Sequence, residues 1–221
     1  MAVRKVFRVS TNDNFFVETV DVNFKWSPGF AVSQKQKNII QLHDEYKKIY
    51  ENDNILEIST KSPNELGVKL SAFNLNFTTS KGRTVTVESA FQASKKFENG
   101  GPYIDILKKD SKSAKKDERL NESGKLISFV FFNEIWPLEP KTLFYDWIYM
   151  NALHKNKDLS KEIIKYNAFT DIEFNHNKSI NCQAYSAALY VSLSKNYLIE
   201  KALSSKDDYL RIINNNCFNN K

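Results

Sequence analysis

Apolar and polar residues alternate over residues 5–9, a polar stretch covers 10–14, and an extended pattern resumes over 15–26. That rhythm predicts an N-terminal β-hairpin, broken by Ser27-Pro28-Gly29. Beyond it Ile39, Ile40, Leu42, Tyr46, Ile49 and Tyr50 recur at helical spacing. Ser33 or Gln34 would open that helix and Asn52-Asp53-Asn54 would close it. Residues 55–58 read as a short strand. Residues 68–77 are apolar without a period. Gly82 marks a turn, and 83–87 is extended.

Thr86 is placed to cap a helix over 87–97, whose stripe is Ala90, Phe91, Ser94 and Phe97. Glu98-Asn99-Gly100-Gly101-Pro102 stops it. Residues 110–121 are the most charged stretch; they predict a solvated surface helix or, on a sharper reading, a basic strip facing phosphate. A strand over 126–132 follows. Pro140 suits the first turn of a helix to about Leu153, and a second helix covers 159–165. Residues 169–174 predict a short strand. Ser179 or Asn181 would cap a helix through Leu193, and an amphipathic helix over 207–213 ends the pattern. The expected architecture is α+β, mainly helical: a single domain over 1–221, with an N-terminal hairpin and short strands around a helical core.

Composition narrows the class. The 221 residues are 41% hydrophobic and 13% aromatic, with 16 Phe and 10 Tyr, so a ring-rich core or a ring-lined pocket is expected. There is no apolar run of about 18 residues for a membrane span, and residues 1–10 lack the apolar segment of a secretory signal. Cys182 and Cys217 form no CxxC, and His43, His154 and His176 share no ligand spacing. No disulfide framework or metal is therefore expected, and the chain is placed in a reducing cytosol. The net charge is +6, carried by 27 Lys and 5 Arg, which permits nucleic-acid contact without requiring it.

Dinucleotide, P-loop, zincin and hydrolase-elbow motifs are absent. What remains are polar residues inside apolar elements. Glu88, Gln92 and Lys95 are spaced to share one side of a helix. They read as a surface row or as a site in which a carboxylate polarises a substrate and a buried lysine serves as an amine nucleophile. Asp171 and Glu173 alternate with Ile172 and Phe174, which reads as a capped strand end or as a pair of fixed carboxylates. Asp146, flanked by Tyr145 and Trp147, reads as a hydrogen-bonded core residue or as part of a base-stacking wall.

Together these segments resemble the NADAR family, linked to NAD and ADP-ribose metabolism. The resemblance lies in Leu70-Ser71-Ala72-Phe73, in Glu88 to Phe97, in Trp136, in Asp171 with Phe174, and in Asn181. FKWSPGFAVSQKQKNI, LEISTKSP, LGVKLSAFNL, VESAFQASKKFENGGPY, WPLEPKTLFYDW and FTDIEF…KSINCQA are similar to the subgroup that accompanies DarT-type DNA ADP-ribosyltransferase toxins, across residues 22–193. Residues 1–21 and 194–221 would be appendages. Ala72 replaces the asparagine of the family's FSNF loop, and Phe174 stands where a tryptophan is frequent.

The resemblance implies a NADAR-type fold and an N-glycosyl hydrolase that removes ADP-ribose from guanine in DNA, an antitoxin to such a toxin. It implies no metal and no cofactor. Its partners would be ADP-ribosylated DNA, ADP-ribose as product, and the cognate toxin. Glu88, Lys95 and Asp171 would be catalytic, with Lys95 either a Schiff-base nucleophile or an anchor for the diphosphate. Ser71, Phe73, Gln92, Gly100, Gly101, Trp136, Tyr145, Asp146, Phe174, Asn175 and Asn181 would form the pocket wall. The alternatives are an N-glycosidase of small metabolites of the riboflavin-precursor type and a non-enzymatic module that binds ADP-ribose or the toxin.

Overall fold

In a computed structural model of the chain, which describes residues 1–12, 15–79, 82–175 and 179–217, the N-terminal alternation folds as the hairpin it predicts. His176 lies outside the described residues, as does the side chain of Cys217. Strand β1 (Ala2–Asn12) pairs antiparallel with β2 (Phe15–Phe24). Helix α1 (Val32–Lys47) lays Ile39, Leu42 and Tyr46 on Val6, Val22 and Phe24 of that hairpin. Then come β3 (Ile55–Glu57), α2 (Glu65–Lys69), β4 (Asn76–Thr78) and β5 (Thr84–Thr86). Helix α3 (Val87–Ala93) starts as expected, with Thr86 Oγ1 accepting the Ser89 N–H at 3.1 Å. It leads directly into β6 (Lys95–Phe97).

A 3₁₀ turn, Ile104–Lys108, precedes α4 (Ser111–Lys115) and α5 (Arg119–Glu122). Strands β7 (Leu126–Phe131) and β8 (Glu134–Trp136) form a hairpin, followed by α6 (Leu143–Lys155) and α7 (Lys157–Ile163). Strand β9 (Ala168–Thr170), α8 (Gln183–Lys195), α9 (Ile199–Ser204) and α10 (Lys206–Cys217) complete the order.

The largest sheet has the order β2-β1-β9-β3, with β9 antiparallel to β1 and parallel to β3. Two smaller sheets are β4-β5 and β6-β7-β8. Helices α6 and α8 pack on each other at the centre and are buried on most faces, as a helix without a continuous polar stripe must be. The rings of Phe91, Phe129, Phe144, Trp136 and Trp147 stack between α6 and the β7–β8 hairpin, with Phe129 and Phe144 4.9 Å apart.

Several expected boundaries move, each for a local reason. The helix expected over 87–97 ends at Ala93: Ser94 Oγ donates to Ala90 O at 2.7 Å, and the chain then pairs with β7, Lys95 opposite Phe129. The strand expected over 169–174 ends at Thr170, because Asp171 Oδ1 accepts the Glu173 N–H at 3.0 Å and turns the chain. Asp171 and Glu173 therefore do not share a strand face. Pro140 precedes the helix instead of opening it; Leu143 is the first residue of α6, after Thr142 in a left-handed conformation. Neither Ser179 nor Asn181 caps α8, whose N-cap is Cys182. The charged segment 110–121 breaks into two short helices instead of one. Helix α1 is flanked by Ala31, not by Ser33 or Gln34, and α9 was not legible.

Candidate functional site

β3 and β9 run parallel and end side by side, so the residues that follow them, Ser59 and Asp171, enter the same space. That space is a cleft of about 900 Å³. Its other walls are the 71–73 turn, α3, β6, the first residues of β7, the 138–142 loop and the segment leading into α8. The Glu88 N–H donates to Ala72 O at 2.9 Å, and the Ala72 N–H donates to Gln183 Oε1 at 2.7 Å. These two bonds tie α3 and α8 to the 71–73 turn.

The three side chains expected to be catalytic all face the cleft. Glu88, 5% exposed, stands in the first turn of α3 and accepts from Gln92 Nε2 at 2.9 Å. Lys95 projects from β6 with its Nζ 5.1 Å from the centre of the Phe91 ring, and among the described residues it makes no ion pair. Burial pushes its amine below the ordinary lysine range; Glu88 opposes that shift and Lys115 adds to it. Lys96 points the other way, donating to Gly101 O at 2.7 Å. The alternation of a strand thus decides which of the paired lysines enters the cleft.

Asp171 is the third. Its Oδ2 accepts from Gln183 Nε2 at 2.9 Å, and burial together with the neighbouring Glu57 carboxylate pushes it up to about 8. Burial likewise raises the Tyr145 phenol well above its ordinary value. Two buried polar atoms in this wall, Ser71 Oγ and Gln92 Oε1, have no hydrogen-bond partner among the described residues. Buried polar atoms are nearly always satisfied, so these two are placed to bond a ligand. Lys61, Lys112, Lys115 and Lys141 also line the cleft, with Lys115 Nζ 5.2 Å from the centre of the Phe73 ring. Among the described residues no three His, Cys, Asp or Glu side chains converge on a common metal position.

The model of the DarT1-associated NADAR antitoxins matches residues 2–221. The chain belongs to that family. No curated protein matches it. Among the described residues, no helix is long and apolar enough to cross a membrane.

In this NADAR antitoxin the cleft gathers Ser71, Phe73, Glu88, Gln92, Lys95, Tyr145, Asp171, Phe174, Asn175 and Asn181 from five separated stretches of sequence. Four residues expected in the wall are elsewhere. Trp136 is fully buried among Phe144, Trp147 and Tyr209. Asp146 is enclosed between α6 and α8, accepting from Ser186 Oγ at 2.5 Å and from Thr142 Oγ1 at 2.7 Å, so the core reading of this residue holds and the base-stacking one does not. Gly100 and Gly101 form the turn behind β6. A side chain at Gly101 would place its Cβ 2.4 Å from Lys95 O, which explains the glycine without any ligand.

Gln183 and Glu57 were missed by sequence reasoning. Gln183 joins three segments at once, with Nε2 donating to Ile58 O and Asp171 Oδ2 while Oε1 accepts from Ala72. Glu57 did carry a signal: a carboxylate inside the apolar run Ile55-Leu56-Glu57-Ile58. Lys112 and Lys115 belong to the charge run read first as solvated surface.

Proposed function

We propose that this antitoxin hydrolyses the N-glycosidic bond between ADP-ribose and the guanine amino group in DNA, undoing the modification made by its associated toxin. The observation that carries the reading is the convergence of Glu88, Lys95 and Asp171 on one cleft in a chain of this family. The surrounding lysines suit a diphosphate and the flanking DNA phosphates. Ser71 Oγ and Gln92 Oε1 supply unfilled bonding positions for ribose hydroxyls or base edges.

The chemical difficulty is a poor leaving group on a carbon that gains positive charge. Asp171, which holds its proton near neutral pH, donates to the departing guanine nitrogen. The Glu88 carboxylate offsets charge at the ribose carbon and, as the bond from that carbon to the ring oxygen breaks, takes the guanine N–H proton and passes it to the ring oxygen. Ring opening leaves that carbon as an imine of the guanine amine. The desolvated Lys95 amine exchanges with it, so guanine departs as its free amine and the ribose is held as a lysine imine. Water then adds to that imine, giving ADP-ribose and free Lys95; the sum is one water consumed.

The test is purified protein with DNA carrying ADP-ribosylated guanine, in EDTA. Release of ADP-ribose and recovery of unmodified guanine, many turnovers per protein, is the expected result. Stoichiometric binding without release would make the protein a sequestering module. Cleavage confined to small-molecule N-glycosides would move the substrate to a metabolite, and loss of turnover on chelation would overturn the metal-free part.

A further inference from the structure

Glu57 is a carboxylate with 1% of its surface exposed, on a strand that lies beneath the cleft. It stands opposite Thr170 in the parallel β3–β9 pairing. Thr170 Oγ1 donates to Glu57 Oε2 at 2.5 Å, and the Ile172 N–H donates to Glu57 Oε1 at 2.8 Å. One carboxylate therefore grips the residues immediately before and after Asp171, one with each oxygen. Ser59 adds a further side-chain hydrogen bond.

We propose that Glu57 is a positioning residue for Asp171: it fixes the backbone on both sides of that aspartate and, as the buried anion of the pair, leaves Asp171 as the member that carries a proton into the cleft. This rests on the role given to Asp171 above. The donors around Glu57 all run toward it. The single hydroxyl proton of Thr170 is committed to Glu57, so His43, with Nε2 2.8 Å from Thr170 Oγ1, donates in turn to the hydroxyl. Burial lowers His43 to about 4, so it does this as a neutral ring.

The other groups facing Asp171 do not neutralise it. Glu173, on the same turn, is ion-paired with Lys35 of α1 at 3.5 Å. Tyr145 and Tyr149 of α6 and Cys182 before α8 are kept in their neutral forms by burial. The Gln183 amide is uncharged. Burial raises the Glu57 carboxyl as well; two buried carboxyls with no cation between them among the described residues share one proton more readily than they ionise together, and the one richer in donors takes the charge first.

The test is ¹³C NMR of protein labelled at the aspartate carboxyl carbons, with Asp171→Asn identifying the resonance. It needs no substrate, so it stands or falls apart from the hydrolytic reading. In the wild type Asp171 should titrate well above the ordinary carboxyl range. In Glu57→Gln its midpoint should fall by about one pH unit or more. Thr170→Val, which weakens the anion on Glu57 while leaving β9 in place, should lower it in the same direction if Glu57→Gln does not fold. An ordinary wild-type midpoint, or an unmoved midpoint in either folded variant, would overturn the proposal. If the DNA is hydrolysed, the alkaline limb of kcat should shift down with the same variants; a uniform loss at all pH values would mark Glu57 as merely structural.

Discussion

Gln92 Nε2 donates to Glu88 Oε1 across 2.9 Å, one helical turn away on α3, while Gln92 Oε1 is buried without a partner among the described residues. The amide thus orients a carboxylate at its donor end and offers its acceptor end to whatever occupies the cleft. Because Thr86 caps α3 and the Glu88 N–H is bound to Ala72 O, this pair sits on a fixed support.

Glu88→Gln exchanges one oxygen for nitrogen and removes the charge. It should cut kcat on ADP-ribosylated DNA by about a hundredfold or more, a cost of about 3 kcal/mol in the transition state. The melting temperature should stay near that of the wild type. Near-normal turnover would show that another carboxylate does this work.

Lys95 and Lys96 separate two mechanisms. Arginine keeps positive charge but forms no imine, so Lys95→Arg should abolish turnover if the amine is the nucleophile and only weaken it if it anchors phosphate. Lys96→Arg should remain active, since Lys96 donates to Gly101 O away from the cleft. Borohydride added during turnover should trap an ADP-ribose adduct on Lys95, located by peptide mass spectrometry. An adduct on Lys96 would reverse the assignment.

Asp146 should make stability depend on pH. Burial raises its folded-state value to about 7, against hydrogen bonds from Ser186 and Thr142 that act the other way. A folded value above the unfolded one means its contribution is complete at acid pH and is lost as pH rises through about 7. Urea unfolding at pH 5 and pH 8 checks the sign: Asp146→Asn should gain stability relative to the wild type at the higher pH, by about 1–3 kcal/mol. A difference independent of pH would mean that the carboxyl ionises freely in the fold.

What was legible in the sequence was local. The hairpin, the Thr86 cap and the four-residue Glu88–Gln92 spacing follow from neighbours in the chain, and the structure has all three. The position of Lys95 on a strand depends on pairing with Phe129, and no periodicity within 87–97 carries that information. Glu57 and Gln183 act on Asp171 only because β3 lies beside β9 and α8 starts next to both, contacts more than a hundred residues apart for Glu57. The aromatic Trp136 was drawn to the pocket by family pattern, whereas packing against Phe144 and Trp147 places it in the core.

Two glycines with the same backbone conformation allow the turn behind Lys95 to be tested. Gly101 has φ +71° and Gly82 has φ +73°, so alanine at either meets the same left-handed penalty, about 1–2 kcal/mol. Around Gly82 an added Cβ meets nothing within 4 Å among the described residues. At Gly101 it would lie 2.4 Å from Lys95 O, a backbone atom that cannot swing aside as a side-chain tip would. Relief would require β6 to shift, and β6 is the strand that aims Lys95 into the cleft. Gly101→Ala should therefore lose more stability than Gly82→Ala and should also lower kcat, while Gly82→Ala keeps full activity. Paired melting curves and turnover assays on the two variants decide it: equal losses of stability, or normal turnover in Gly101→Ala, would show that the turn does not hold the lysine in place.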